Sequence, residues 1–203
     1  MNKIKLLNIS LIFSLVLCMS ISVYAAGLNN RIKDTTLRLH VVANSNSQED
    51  QELKLRIRDV ILEGVDGIFQ AQSAKEAKET AREQTEKIRK IAREEIAKSG
   101  KTYNVEVLVS KEYFETKEYG DFVLPAGMYD AVKVIIGEGG GKNWWCVMFP
   151  PMCSGAVEDS EIVTYYEHEA GPGAALIIGG TKKKVELRFK SLDVIGAFIE
   201  KMK

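Results

Sequence analysis

Two histidines and three cysteines are the side chains best suited to nucleophilic or metal chemistry in this 203-residue sequence. His40, His168, Cys146 and Cys153 suffice in number for a tetrahedral zinc site. Their only ligand-like spacing, however, is the loose Cys-x6-Cys, and neither histidine lies beside it. A Cys–His nucleophile pair would need an imidazole-activated thiolate, and no local signature marks one. Ser154-Gly155 lacks the flanking glycine of a nucleophile elbow. Gly137–Lys142 (GEGGGK) invites a phosphate-loop reading that fails on three counts. Three residues, not four, separate Gly137 from Gly141-Lys142, Asn143 replaces the Mg-binding hydroxyl, and the following segment reads as strand where a helix N-terminus is needed. A hairpin turn is the simpler reading of these glycines. The sequence thus assigns no catalytic residue, metal ligand or cofactor.

Charge narrows the function further. Lys+Arg and Asp+Glu are 28 each, so the basic excess that drives phosphate binding is missing and a nucleic-acid role is disfavoured. At 45% hydrophobic and 28% charged, the chain has the composition of a folded globular protein.

The first 25 residues read as a targeting segment. Met1–Lys5 carries two lysines and no acid, Leu6–Met19 is mostly apolar, and Val23-Tyr24-Ala25 offers compact residues at −3 and −1. A signal peptide cleaved after Ala25 is expected, with an uncleaved membrane anchor as the alternative, since Leu6 to Tyr24 is just long enough to span. Bulky Leu17 argues against a lipid anchor on Cys18. Residues 26–203 then form one domain of net charge −2, because the leader removes Lys3 and Lys5 and no acid. Two cysteines remain, and export permits a disulfide between them.

The elements of that domain follow from periodicity. Thr36–Ala43 alternates and is β-branched, hence a strand. Asn44-Ser45-Asn46-Ser47 ends it, and Gln48-Glu49-Asp50 opens a helix with acids at the positive end of its dipole. Leu53, Ile57, Val60 and Ile61 share one face, and Gly64 and Gly67 close the helix. Ser73–Lys98 is rich in helix formers with a thin stripe of Ala and Ile, as expected of a solvated helix lying on a sheet. Tyr103–Ser110, Met128–Ile136 and Asn143–Phe149 read as strands, the last two as a hairpin across the glycines. Val185–Phe189 reads as a short strand and Ser191–Lys201 as a final helix, with loop and a short element between Glu158 and Lys184. The expected fold is a single α+β domain, mainly antiparallel, with about three packed helices.

Trp144–Cys153 (WWCVMFPPMC) concentrates both tryptophans, two prolines and two cysteines in ten residues. Strand alternation would send Trp145, Val147 and Phe149 to the core and Trp144 and Met148 the other way. Pro150-Pro151 cannot continue a central ladder. A Cys146–Cys153 link would close an eight-residue loop, worth about 2.5 kcal/mol by chain entropy. The block reads either as a stapled core strand or as a rigid aromatic surface for a partner.

Leu37–Leu55 (LRLHVVANSNSQEDQELKL) and Pro125–Cys153 closely resemble the stage II sporulation protein R family of endospore-forming Firmicutes. The resemblance runs from about Arg31 to the helix after Phe189. It implies a signalling protein and not an enzyme, with no small-molecule substrate. Such a protein is made in the forespore and exported across its membrane into the intermembrane space. There it activates a membrane-bound aspartic protease that cleaves pro-sigma-E of the mother cell. The family supplies no active-site residues. Within this reading, Asn44, Ser45, Asp50, Trp144, Trp145, Pro150 and Pro151 are expected to form or support the receptor surface. A secreted thiol- or metal-dependent hydrolase is the alternative.

Overall fold

The computed structural model describes residues 3–120, 122–153 and 159–179. The expected strand Val185–Phe189, the helix Ser191–Lys201 and Ser154-Gly155 lie outside the described residues.

Helix α1 (Lys3–Asp34) is continuous, yet its two ends behave differently. Residues 4–26 are exposed, whereas Leu28 and Ile32 are buried in the domain. Its exposed part is long and apolar enough to cross a membrane, and a signal sequence has the same character. Strand β1 (Leu37–Val42) follows, then α2 (Gln48–Gly64), α3 (Asp66–Phe69), α4 (Ala74–Glu83) and α5 (Thr85–Lys98). Strands β2 (Val105–Phe114), β3 (Lys117–Tyr119), β4 (Phe122–Leu124), β5 (Gly127–Ile136) and β6 (Asn143–Phe149) come next. Helices α6 (Asp159–Glu169) and α7 (Ala174–Ile178) complete the described chain.

The architecture is α+β, with seven helices among the described residues where about three were expected. Two of the extra ones, α6 and α7, fall in the stretch lacking periodicity. A third arises because Ser73–Lys98 is broken at Gln84. There the Thr85 hydroxyl donates back to the carbonyls of Ala81 (3.2 Å) and Arg82 (2.8 Å), a bond that bends helices.

The main sheet has the order β2-β5-β1-β6. Its outer ladders are antiparallel, but β1 and β5 run parallel, with Leu37 opposite Asp130. The expected β5–β6 hairpin therefore does not form: β1 lies between the two strands. The glycine-rich segment crosses the end of β1 and packs on the loop that follows it. Gly140 N donates to Asn44 O (3.0 Å) and Gly141 N to Ala43 O (2.9 Å). A Cβ on Gly141 would sit on the Ser45 carbonyl, and Gly137 holds the left-handed conformation at φ 57°. Close backbone approach, in place of the expected hairpin turn, accounts for these glycines.

Both faces of the sheet are covered. Leu37, Leu39, Val41, Val132 and Val134 meet Leu53, Ile57 and Ile61 of α2, the alanine stripe of α4, and Ile88 and Ile96 of α5. On the opposite face Val147 packs with Leu28 and Ile32 of α1, Phe122 and Leu124 of β4, and Ile162 and Tyr166 of α6. In β6, Cys146 and Met148 join the first cluster while Trp145 and Val147 turn away, as alternation requires. Phe149 breaks the expected pattern and joins Met148. The register shifts there, Leu37 pairing with Phe149 but Arg38 with Val147, and such a bulge turns neighbouring side chains to one face.

Candidate functional site

Two groups of polar residues stand out, one inside the sheet's second face and one at its end. The first is built by β1, whose odd residues are apolar while Arg38 and His40 point the other way. Arg38 is only 1% exposed. Its strand neighbours are Ala131 and Val147, and the short side chain of Ala131 leaves room for a guanidinium. Aromatic rings wall it in, with Cζ 4.0 Å from the Phe114 centroid, 4.9 Å from Tyr129 and 5.8 Å from Tyr119. Such rings present their negative faces to the cation.

The hydrogen bonding of this guanidinium is incomplete. Nη2 donates to the Tyr119 hydroxyl, but buried Nε and Nη1 have no acceptor. Among the described residues no carboxylate lies within ion-pair distance of it. Tyr129 is committed elsewhere, donating to Pro125 O (2.6 Å). Burial pushes the Tyr119 and Tyr129 hydroxyls up despite the nearby Arg38 charge, so both stay protonated and neither neutralises the arginine. A cavity of about 100 Å³ opens beside Arg38, lined also by Phe114, Glu115, Thr116, Lys117 and Trp145.

Two residues along, His40 donates through Nε2 to Asn143 Oδ1 (2.9 Å) and has Glu112 3.9 Å from Nδ1. Its ring lies 5.8 Å from Trp145. Burial lowers the His40 pKa, Lys133 adds to that, and the Asn143 and Glu112 contacts only partly oppose it. Glu112 binds Lys133 Nζ (3.0 Å); burial raises its pKa, but Lys133, Ser110 and His40 more than offset this and leave it lowered.

The second group ties the β1–α2 loop. Asp50 is buried and accepts from Asn44 Nδ2 (2.8 Å) and Ser45 Oγ (2.6 Å). Burial raises its pKa, yet hydrogen bonds from Ser45, Asn44 and Tyr103 and the Lys101 charge prevail and hold it below the usual carboxylate range. Ser47 caps α2, accepting from Asp50 N (3.3 Å). Asn44 Oδ1 accepts from Glu138 N (3.0 Å) and Asn46 Oδ1 from Lys142 N (2.8 Å), which fastens the glycine-rich crossover.

The remaining residues singled out in the sequence lie along β6. Trp144 and Trp145 are both half-buried but on opposite faces, Trp144 holding Arg58 Cζ 4.7 Å from its ring. Pro150 is buried and Pro151 partly so. Cys146 and Cys153 are joined, with Cα atoms 5.9 Å apart, inside the range a disulfide spans. Cys153 N donates to Val147 O (3.1 Å), so the proline turn folds back on the edge strand and caps a carbonyl there.

The four residues that could have formed a zinc site do not meet. The sulfurs are bonded to each other, His40 faces Asn143, and His168 stands 84% exposed beside Glu169. Among the described residues no three His, Cys, Asp or Glu side chains cluster as a metal cage. Arg38 escaped sequence reasoning. Its signal was present: a charged residue, two before a histidine, in a strand otherwise apolar at both odd and even positions.

A covered mixed sheet behind a long apolar N-terminal helix, with a buried arginine beside a small cavity, defines the class of the molecule as a single α+β domain. The family model described as stage II sporulation protein R matches residues 33–159, and the chain belongs to that family. It is 36% identical over 173 residues to the Stage II sporulation protein R of Bacillus subtilis (strain 168), covering 85% of this chain and 72% of that protein. No solved structure matches the chain.

Proposed function

We propose that this chain is an exported signal of sporulation. It leaves the forespore, enters the space facing the mother cell and activates a membrane-bound aspartic protease that processes pro-sigma-E. The observation that carries the reading is the family match across residues 33–159. The apolar N-terminal helix suits an export route. Cleavage after Ala25 would leave the buried anchors Leu28 and Ile32 with the domain.

Activation by docking requires tighter binding to the receptor's active state than to its resting state. Asn44, Ser45, Trp144, Trp145 and Pro151 are the accessible members of the receptor surface, with buried Asp50 and Pro150 supporting them from within. A thiol hydrolase would need a free thiolate at Cys146 or Cys153, whose sulfurs are joined.

The test is co-production with the protease and pro-sigma-E in a non-sporulating host. Shortened sigma-E should appear only when the chain carries its export segment, and persistence of the full-length precursor overturns the reading. In the same assay Trp144→Ala, if folded, should lower processing by about tenfold or more, as loss of an aromatic anchor does. Normal processing by that variant removes Trp144 from the surface.

A further inference from the structure

We propose that the cavity beside Arg38 is a binding site for a single carboxylate group. A buried cation with unused N–H donors is an incomplete structure. Arg38 is 1% exposed, its Nε and Nη1 lack acceptors, and no carboxylate among the described residues neutralises it. Stacking on Phe114 and Tyr129 compensates part of the lost hydration, but rings accept weakly and leave the in-plane donors unused. Nε and Nη1 are sealed from the cavity as the chain stands, so binding requires the guanidinium to turn toward it, where its planar N–H edge matches the two oxygens of a carboxylate.

Size and charge select the ligand. About 100 Å³ is smaller than the roughly 150 Å³ of a cavity that takes up one benzene ring, which disfavours a nucleotide or sugar. One buried positive charge is neutralised by a monoanion, whereas a phosphate dianion would leave excess negative charge beside Glu115. Lys117 at the mouth favours approach of an anion, and Glu115 opposes it. The carboxylate can come from a free organic acid, an acidic side chain or a chain terminus. All three share the chemistry that Arg38 recognises.

Trp145 lines the cavity and reports on it. Its indole N–H signal, distinguished from that of Trp144 by the Trp144→Phe variant, can be followed by NMR in the full chain held in detergent micelles. The titrants are sodium acetate, N-acetyl-glutamate amide, N-acetyl-alanine and, as control, inorganic phosphate. A saturable shift is expected with carboxylates and a weaker one with phosphate. Preference for acetate, the side-chain analogue or the terminal analogue identifies the source.

Arg38→Met should weaken binding by about 10- to 100-fold, the worth of hydrogen bonds to a charged group. Lys117→Ala should weaken it about 2- to 5-fold and Glu115→Gln should tighten it by a similar factor, as exposed charges do. Should Arg38→Met fail to fold, the two mouth variants decide, because both positions are exposed. Absence of a saturable carboxylate shift overturns the proposal, as does unchanged affinity in both mouth variants. Stronger binding of phosphate than of every carboxylate also overturns it.

Discussion

The two faces of strand β1 make opposite use of alternate residues in one six-residue segment. Leu37, Leu39 and Val41 enter a continuous apolar core under α2, α4 and α5. Arg38 and His40, one residue out of phase, enter the other side, where charge is buried among aromatic rings and an arginine lacks a counterion. Apolar burial stabilises the fold outright, at roughly 25 cal/mol per Å². A desolvated, unpaired guanidinium opposes it. The first face is explained by stability alone, and the second is not, which directs attention to function there.

That contrast is sharpest in stability measurements. Leu39→Ala should cost about 2–5 kcal/mol in urea denaturation, the range for emptying a packed leucine site. Arg38→Met should change stability by no more than about 1 kcal/mol, because relief of the buried charge offsets ~2 kcal/mol of lost cation–π stacking. A loss at Arg38 as large as that at Leu39 would erase the distinction between the faces.

Next in size is the link between Cys146, on the apolar face, and Cys153 in the turn beyond it. Replacing both by serine should remove about 2.5 kcal/mol, the entropy of an eight-residue loop. Unchanged stability would mean that the proline turn holds the edge strand without the link.

The smallest effect concerns His40. Its folded-state pKa is lowered, chiefly by burial, so the unfolded chain takes the proton first as pH falls. Stability contributed by neutral His40 is complete above its ordinary value of 6.5. It declines as pH drops from there towards the folded-state pKa. His40→Gln should therefore flatten the loss of stability between pH 7 and pH 5 relative to the parent chain. Parallel curves would show that His40 is not desolvated.

Much of the local structure was legible. The capped start of α2, its Leu53–Ile57–Ile61 face and strands β1, β2, β5 and β6 follow from periodicity and capping chemistry. The break at Gln84 was hidden because it depends on which carbonyls the Thr85 hydroxyl reaches once the helix has formed. The polar loop was legible as a helix start. Its second role, clasping the crossover through Asn44 and Asn46, needs a partner almost a hundred residues away. Of the candidate site, Trp145 was visible as an unusual residue and Arg38 was not. An arginine in a strand looks like any solvent-facing charge until its neighbours are known.

By itself, then, the sequence determined the apolar N-terminal run, the amphipathic helices, the strand segments and the family. Those depend on residues near one another in the chain, whose spacing sets what each segment can bury. Tertiary structure alone decided that β1 separates β5 from β6, and that Arg38 lies in an aromatic enclosure away from solvent. Strand order is chosen by long-range pairing. The cost of burying a charge is fixed by what distant elements bring around it.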